Sequence, residues 1–325
     1  MTVEQNGPLA PTGAHVAFIG GTGRSGSTLL SRVLGGMPGV CSVGELCWLW
    51  SYGVTNNRQC GCGASFADCP FWTAVGKRAY GGWANLDAVR ATELRRRLTR
   101  NSRIPALWTG GRGRFAHDLD EYTGLLDRLY SAICTESGAQ VVVDNSKQAA
   151  AALIARRVSS SRLSVIHLVR RSHGVAYSWS KSVPRSDMGG REMRRRSPAR
   201  TAVRWTADNL LFETIGRFGT PRILVRYEDF VADPHAETER ILAFLGVPVD
   251  AAAMATIGPD TVELGIDHSV WGNPMRLRTG RERLRPDDTW RQQLPPSARR
   301  LVTALSLPAL ARYRYLGRAA PSRTE

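Results

Sequence analysis

The sequence predicts an α/β fold in which a central parallel sheet is flanked by helices in three layers. Short apolar runs alternate with helix-length segments along the chain. The runs are continuously apolar, as strands covered on both faces are. Each is followed by polar or charged residues, the arrangement of strand ends that open onto a site. At 325 residues the chain can bury one large core, and a single domain spanning 1–325 is expected.

The first run, His15-Val16-Ala17-Phe18-Ile19, ends at Gly20-Gly21. Ser27 to Leu34 then reads as a helix with Leu29, Leu30, Val33 and Leu34 on one face, stopped by Gly35-Gly36. A short strand follows over Val40 to Val43. Further buried strands are Val141 to Val143, Leu163 to Val169 and Arg222 to Val225. Their followers, Asp144 to Lys147, Arg170-Arg171 and Tyr227 to Asp229, should therefore surround the first turn. A late helix is marked by Asp233 as cap, Pro234 at its first position, the apolar residues Ile241, Leu242 and Leu245, and Gly246 as terminator. Residues 1–14 read as a flexible N-terminus, and 73–125 and 182–200 as insertions or lids.

No apolar run reaches the roughly 18 residues of a membrane helix, and the first fifteen residues lack the pattern of a secretory signal, so a soluble cytoplasmic protein is expected. The formal charge of +16, from 44 Lys and Arg against 28 Asp and Glu, favours an anionic ligand, nucleic acid or an acidic surface. No nucleic-acid motif accompanies it, and the runs Arg95-Arg96-Arg97 and Arg194-Arg195-Arg196 read as solvated faces or loops. Six cysteines in so long a chain do not describe a disulfide scaffold. Cys60, Cys62 and Cys69 cluster within ten residues and can contribute to a zinc site, with Cys41 or Cys47 as fourth ligand, or form a disulfide. The expectation is a structural loop with reduced thiols and no metal.

Gly21-Thr22-Gly23-Arg24-Ser25-Gly26-Ser27-Thr28 has the glycine spacing of a nucleotide phosphate loop, which makes the expected fold P-loop-type. Ser27, however, stands where the lysine of G-x-x-x-x-G-K-[ST] would be. A triphosphate site needs that lysine, so its absence argues against an ordinary ATPase or kinase. Backbone N–H groups and a helix N-terminus still make an anion cradle, and Arg24 adds a permanent charge with a planar fork of donors.

GTGRSGSTLL resembles the 5'-phosphosulfate loop of sulfotransferases that use 3'-phosphoadenosine 5'-phosphosulfate (PAPS), in the arginine form of tyrosylprotein and many bacterial members. HLVRRSHGVAYS, with Arg170 and Ser178 eight residues apart, resembles the family's 3'-phosphate motif. RYEDFVADP resembles the segment whose tyrosine, here Tyr227, contacts the adenine. The likeness covers about residues 15 to 50 and 140 to 317. It implies a sulfotransferase domain that binds PAPS through Gly23, Arg24, Ser25, Gly26, Ser27, Thr28, Arg170, Ser178 and Tyr227. An arginine at a strand end and a serine on the next helix can also, on physical grounds alone, reach one phosphate. His173 stands where the family often has a basic residue. Where tyrosylprotein enzymes have an arginine four residues after the serine, this chain has Ser182, beside Lys181.

The resemblance also implies the chemistry. Glu45, in SVGEL and twenty-one residues after Arg24, has the spacing of the catalytic glutamate and is the candidate base. Lys147, in VVVDNSK and twenty-three residues before Arg170, stands close to the catalytic lysine, which with Arg24 would bind the leaving oxygen. Asp144 reads as an orienting or structural group. None of the six histidines lies in a motif matching the histidine base of hormone-type enzymes. Arg276 to Trp290 resembles a late loop over the cofactor, with Arg278, Thr279 and Gly280 as contacts. The scheme requires no metal, nucleic acid or membrane span. The acceptor stays open among carbohydrates, lipids, nucleosides and phenolic small molecules, and the oligomeric state is not implied. Two other readings are an altered P-loop nucleotide kinase or NTPase and a non-catalytic nucleotide- or nucleic-acid-binding protein.

Overall fold

The computed structural model describes residues 13–182, 192 and 194–316. The expected N-terminal segment through residue 12, and residues 183–191 and 193 of the second lid, lie outside them. Five parallel strands form the central sheet: β1 (His15–Gly20), β2 (Val40–Gly44), β3 (Val141–Lys147), β4 (Arg162–Val169) and β5 (Arg222–Arg226). Their spatial order is β2-β3-β1-β4-β5, so β1 lies centrally with β3 and β4 on either side.

Strand alternation divides the apolar residues between two faces. Val16 and Phe18 of β1, Val142 of β3 and Val165 of β4 share one core with Leu129 and Ile133 of α5 (Arg114–Ser137), Leu153 of α6 (Ala149–Ala155) and Phe212 of α8 (Pro198–Arg217). Ala17 and Ile19, Val141 and Val143, and Ile166 and Leu168 share the other. There they meet Leu30 and Leu34 of α1 (Ser27–Gly35) and Ile241 and Leu242 of α10 (Pro234–Leu245). Each buried leucine or isoleucine contributes about 1.5–3 kcal/mol, which is why both faces need continuous apolar runs. The expected strands and the three layers are therefore present.

The late helix has the predicted ends: the Asp233 carboxylate accepts from Ala236 N–H at 3.0 Å, and Gly246 closes α10 with φ of 69°. Residues 73–125 are helical, over most of α2 (Pro70–Tyr80), then α3 (Ala88–Leu98), α4 (Ile104–Thr109) and the first half of α5. Ala91, Leu94 and Leu98 of α3 and Leu107 of α4 lie in the core that holds Val16 and Phe18. The arginine run on α3 is not a solvated face. Arg95 is buried with its guanidinium 4.2 Å from the Trp48 ring centre, and Arg97 binds Asp118 at 3.0 Å. Helix periodicity was masked there by arginines that pack through their stems.

Beyond α9 (Tyr227–Ala232), α10 and α11 (Ala251–Met254), an antiparallel pair, β6 (Thr261–Leu264) and β7 (Gly280–Arg283), lies against α1. Arg32, buried on α1, fastens this region by donating to the carbonyls of Gly265, Arg278 and, at 3.1 Å, Met275. After the short α12 (Trp290–Gln293), helix α13 (Pro296–Arg312) packs beside α7 (Ser172–Ser180), where the Ser172 and Ser306 hydroxyls share a hydrogen bond of 2.9 Å. Among the described residues no helix is long and apolar enough to cross a membrane.

Candidate active site

The glycine-rich turn joins β1 to α1 at the centre of the sheet's carboxyl edge. Gly21 has φ of 127°, Arg24 of 74° and Gly26 of 89°. Gly26 also tolerates no side chain, because an added Cβ would lie 2.4 Å from the Tyr227 ring. Arg24 holds a left-handed conformation that costs a non-glycine residue about 1 kcal/mol or more. Ser25, Ser27 and Thr28 are buried, the last two in the first turn of α1, where free N–H groups face the turn.

Two strand-end groups close on one side of this turn. Arg170, one residue past β4, donates to the Arg24 carbonyl at 3.2 Å and to Asp287 at 2.8 Å, and its guanidinium lies 4.6 Å from the centre of the Tyr227 ring. Tyr227 follows β5 directly, so the residues expected at the 3'-phosphate and the adenine are brought together against Gly26. Burial pushes the Tyr227 phenol above its ordinary pKa, against the opposing charge of Arg170. Ser178 is half-buried in the second turn of α7.

On the other side of the turn stand Glu45 and Lys147. They form an ion pair at 2.8 Å, both side chains only about one-sixth exposed (16% and 14%). The β2–β3 pairing shifts register between Ser42 and Gly44, just before Glu45, and the β1–β3 pairing shifts between Phe18 and Gly20, which face Asp144 and Lys147. Such irregularities re-aim side chains at strand ends. The pair is fixed from behind. The buried Asp144 accepts from Ser146 N–H at 2.9 Å, Tyr130 O–H at 3.1 Å and Leu46 N–H at 3.4 Å, while Ser146 Oγ accepts from Cys47 N–H at 3.0 Å. Burial raises the Asp144 pKa. Its bonds reach Leu46, next to Glu45, and Ser146, next to Lys147, which suits an orienting group. Glu45 N–H donates to the Trp271 carbonyl at 2.9 Å. At Gly272 a Cβ would lie 3.6 Å from Thr28 Oγ1 and 3.8 Å from Glu45 Oε1, so the candidate base faces the first turn of α1 across that glycine.

Several neighbours carry no signal in the local sequence. Trp179 donates from Nε1 to the Gly23 carbonyl at 3.1 Å, and its ring lies under both Arg24 (5.3 Å) and Arg196 (4.0 Å). Arg196, expected in a solvated run, thus returns to the phosphate loop. Burial, then the charges of Arg204 and Arg194, lowers its pKa. Asn209 of α8 donates to the Trp205 carbonyl at 2.8 Å and to Thr22 Oγ1 at 3.5 Å, and its Oδ1 accepts from His167 Nε2 at 2.9 Å. In the late loop, Arg278 turns to Glu282 at 3.4 Å, Thr279 is exposed and Gly280 opens β7. Asp287, not one of these three, reaches Arg170. Burial opposes its charge, but the hydrogen bond from Thr289 and the Arg170 charge hold its pKa below the ordinary carboxylate value. His173 is buried and bonded to Thr303 Oγ1 at 2.9 Å.

The sequence profile of the sulfotransferase family matches residues 116–251. This match, over less than half of the chain, is a similarity to the sulfotransferase family. The matched segment holds Lys147, Arg170, Ser178 and Tyr227, whereas the phosphate loop and Glu45 precede it. No curated protein matches the chain. Among solved structures, the chain is similar to the sulfotransferase domain of the olefin synthase of Synechococcus PCC 7002, with 22% identity over 93% of this chain and 96% of that one and a TM-score of 0.49. It is also similar to the sulfotransferase domain of the curacin biosynthetic pathway, with 19% identity, 91% and 99% coverage and a TM-score of 0.48. A sulfotransferase from Alicyclobacillus acidocaldarius shares 15% identity, with 93% and 95% coverage and a TM-score of 0.41. Superpositions this loose assign no residue roles. For the sulfotransferase reading, the weight rests on the matched segment and the site's own geometry.

Proposed function

We propose that this protein transfers a sulfuryl group from PAPS to a hydroxyl of a small-molecule, carbohydrate or lipid acceptor. The observation that carries the reading is the placement of two functions on either side of one anion-binding turn. Arg170 and Tyr227 lie on one side, and the Glu45–Lys147 pair lies on the other. The turn lacks the lysine of a triphosphate site but keeps Arg24 and the α1 N-terminus.

In this scheme the turn and the α1 N–H groups hold the 5'-phosphosulfate, Arg170 and Ser178 hold the 3'-phosphate, and Tyr227 lies against the adenine. The acceptor oxygen attacks sulfur in line with the bridging oxygen. Glu45 takes the acceptor's proton as the new S–O bond forms. The bond from sulfur to the bridging oxygen breaks, and its electron pair stays on 3',5'-bisphosphoadenosine, where Lys147 and Arg24 neutralise it. Most of the acceleration comes from orientation and fixed charge, as in phosphoryl transfer. Before PAPS binds, Lys147 is held by Glu45, so the leaving-group cation is already positioned.

The deciding experiment incubates the full chain with labelled PAPS and a panel of hydroxyl acceptors, with mass-spectrometric detection of an added sulfuryl group. Calorimetry should show 3',5'-bisphosphoadenosine binding in the micromolar range, about 8 kcal/mol, with no change on adding magnesium. Magnesium-dependent binding of ATP without binding of the bisphosphate would instead establish a nucleotide kinase or NTPase.

A further inference from the structure

The loop after β2 holds a group of side chains that sulfuryl transfer does not use. The thiols of Cys60, Cys62 and Cys69 converge with the imidazole of His268, all four ligand atoms lying within 4.8 Å of one another. Cys41 and Cys47, the sequence's candidates for a fourth ligand, are elsewhere: Cys47 lies under Gln148, and Cys41 beside Cys134 and Ser137. His268 is about 200 residues further along the chain, beyond the reach of any spacing rule.

We propose that Cys60, Cys62, Cys69 and His268 bind a zinc ion in a closed structural site that clasps the loop after β2 to the segment behind Glu45. The separations fit one tetrahedron. Cys62 Sγ lies 3.7 Å from Cys69 Sγ, and His268 Nδ1 lies 3.8 Å from Cys60 Sγ and 3.3 Å from Cys69 Sγ. Zinc bonds of about 2.3 Å to sulfur and about 2.0 Å to nitrogen at tetrahedral angles place neighbouring ligands about 3.8 Å apart for two sulfurs and about 3.5 Å for sulfur and nitrogen. Three thiolates with one imidazole is a standard structural zinc set, and four protein ligands leave no open position for substrate. On binding, the three thiols release their protons to water, and neutral His268 coordinates through Nδ1.

The surroundings hold the ligands in this arrangement. Cys60 N–H donates to the Ala64 carbonyl at 2.8 Å and Gly63 N–H to the Cys60 carbonyl at 3.0 Å, a tight turn that Gly63 permits with φ of 94°. Phe71 stacks on the imidazole at 4.6 Å and 16°, and Trp72 Nε1 donates to the His268 carbonyl at 2.9 Å. These contacts fix the ring as structural zinc sites require. A Cys62–Cys69 disulfide would leave Cys60 and His268 with no task.

The clasp reaches the candidate base through the backbone. Gly61 N–H donates to the Ser269 carbonyl at 3.0 Å, Val270 N–H to the Val43 carbonyl at 3.0 Å, and Glu45 N–H to the Trp271 carbonyl. Metal binding itself does not depend on the sulfuryl-transfer reading, because none of the four ligands enters that scheme.

The test is metal analysis of the full chain purified without added metal or chelator. Inductively coupled plasma mass spectrometry should find about one zinc per chain, falling below about a tenth in Cys69→Ser and in His268→Ala, with Cys134→Ser unchanged. Should the ligand variants fail to fold, protein produced with cobalt should still show the ligand-field and thiolate charge-transfer bands of tetrahedral cobalt(II). Native alkylation should spare Cys60, Cys62 and Cys69 until zinc is stripped. Wild-type protein with no bound metal, whether its three thiols are free or Cys62 and Cys69 are disulfide-linked, would overturn the proposal.

Discussion

At the scale of single residues, Glu45 and Lys147 are separable because each acts on a different partner of the reaction. Glu45→Gln keeps the shape but removes the proton acceptor, so turnover should fall by roughly 10² to 10⁴ with bisphosphate affinity little changed. Single-turnover rates beside calorimetry check this, and near-normal turnover would place the base elsewhere. Arg170→Ala should weaken the bisphosphate by about 2 to 5 kcal/mol while leaving adenosine 5'-phosphosulfate almost unaffected, since only the former has the 3'-phosphate. Equal losses for both ligands would remove Arg170 from that contact. Asp287 sits 2.8 Å from the same guanidinium and competes for it. Asp287→Asn should therefore tighten bisphosphate binding by about 1 kcal/mol, less so at high salt. Arg170 could be read from a strand end and a family-like spacing. Asp287 could not, because a carboxylate 117 residues away becomes its partner only when the chain after β7 folds back.

At the scale of elements, the phosphate turn depends on a close approach that its spacing announces and its partner does not. Gly26 is needed twice, for a φ of 89° and for the Tyr227 ring beneath it. Gly26→Ala should cost more than 1 kcal/mol of stability and weaken the bisphosphate at least tenfold, by displacing the turn or the ring. Paired thermal unfolding and calorimetry read the two effects, and normal values for both would show that the turn tolerates a Cβ. The strand–turn–helix was legible because glycine placement and helix periodicity are local properties. So were the caps of α10, where Asp233 and Gly246 act within one turn. Helix α3 was not, since Arg90 and Arg95 to Arg97 interrupt its apolar face and Arg95 is buried through its contact with Trp48. The roles proposed for Glu45 and Lys147 come from the resemblance, while the strand ends before them only place them near the turn. What aims them is the pair of register shifts at the ends of β2 and β3, which no run of residue types encodes.

At the scale of the whole molecule, the two cores follow from the period-two alternation of the strands, while the polar groups buried between layers make stability depend on pH. His167 on β4 is the clearest case. Its Nε2–H donates to Asn209 Oδ1, and its Nδ1 accepts from Arg222 at 2.9 Å, which fixes the neutral tautomer. A second proton would be set against the Arg222 guanidinium, with Glu213 on that arginine's far side at 3.4 Å. Burial, against the hydrogen bond to Asn209 and together with the Arg222 charge, lowers its pKa to about 4. His15 and His173 are also lowered to about 4, again by burial first and then by Arg162 and Arg171 respectively. Above the ordinary histidine pKa of about 6.5 both folded and unfolded chains are neutral, and the full stability is present. As the pH falls from 6.5 towards 4, the unfolded chain takes up protons that the folded one refuses, so stability is lost. By pH 5 the loss is at most roughly 2 kcal/mol for each of the three. Asp287 and Glu213, whose pKa values are lowered, add their own losses only below the ordinary carboxylate range, while Asp144 and Asp208, whose pKa values burial raises, act in the opposite sense, so the histidine share is read by comparison with a variant. Urea unfolding at pH 7.5 and pH 5 should therefore show a fall in the wild type, reduced by the opposing Asp144 and Asp208. His167→Gln keeps a donor towards Asn209 but cannot titrate, so it should begin less stable and fall by less, the difference approaching 2 kcal/mol. The same fall in both proteins would mean that His167 already binds its proton in the folded chain, and that Arg222 does not hold it neutral.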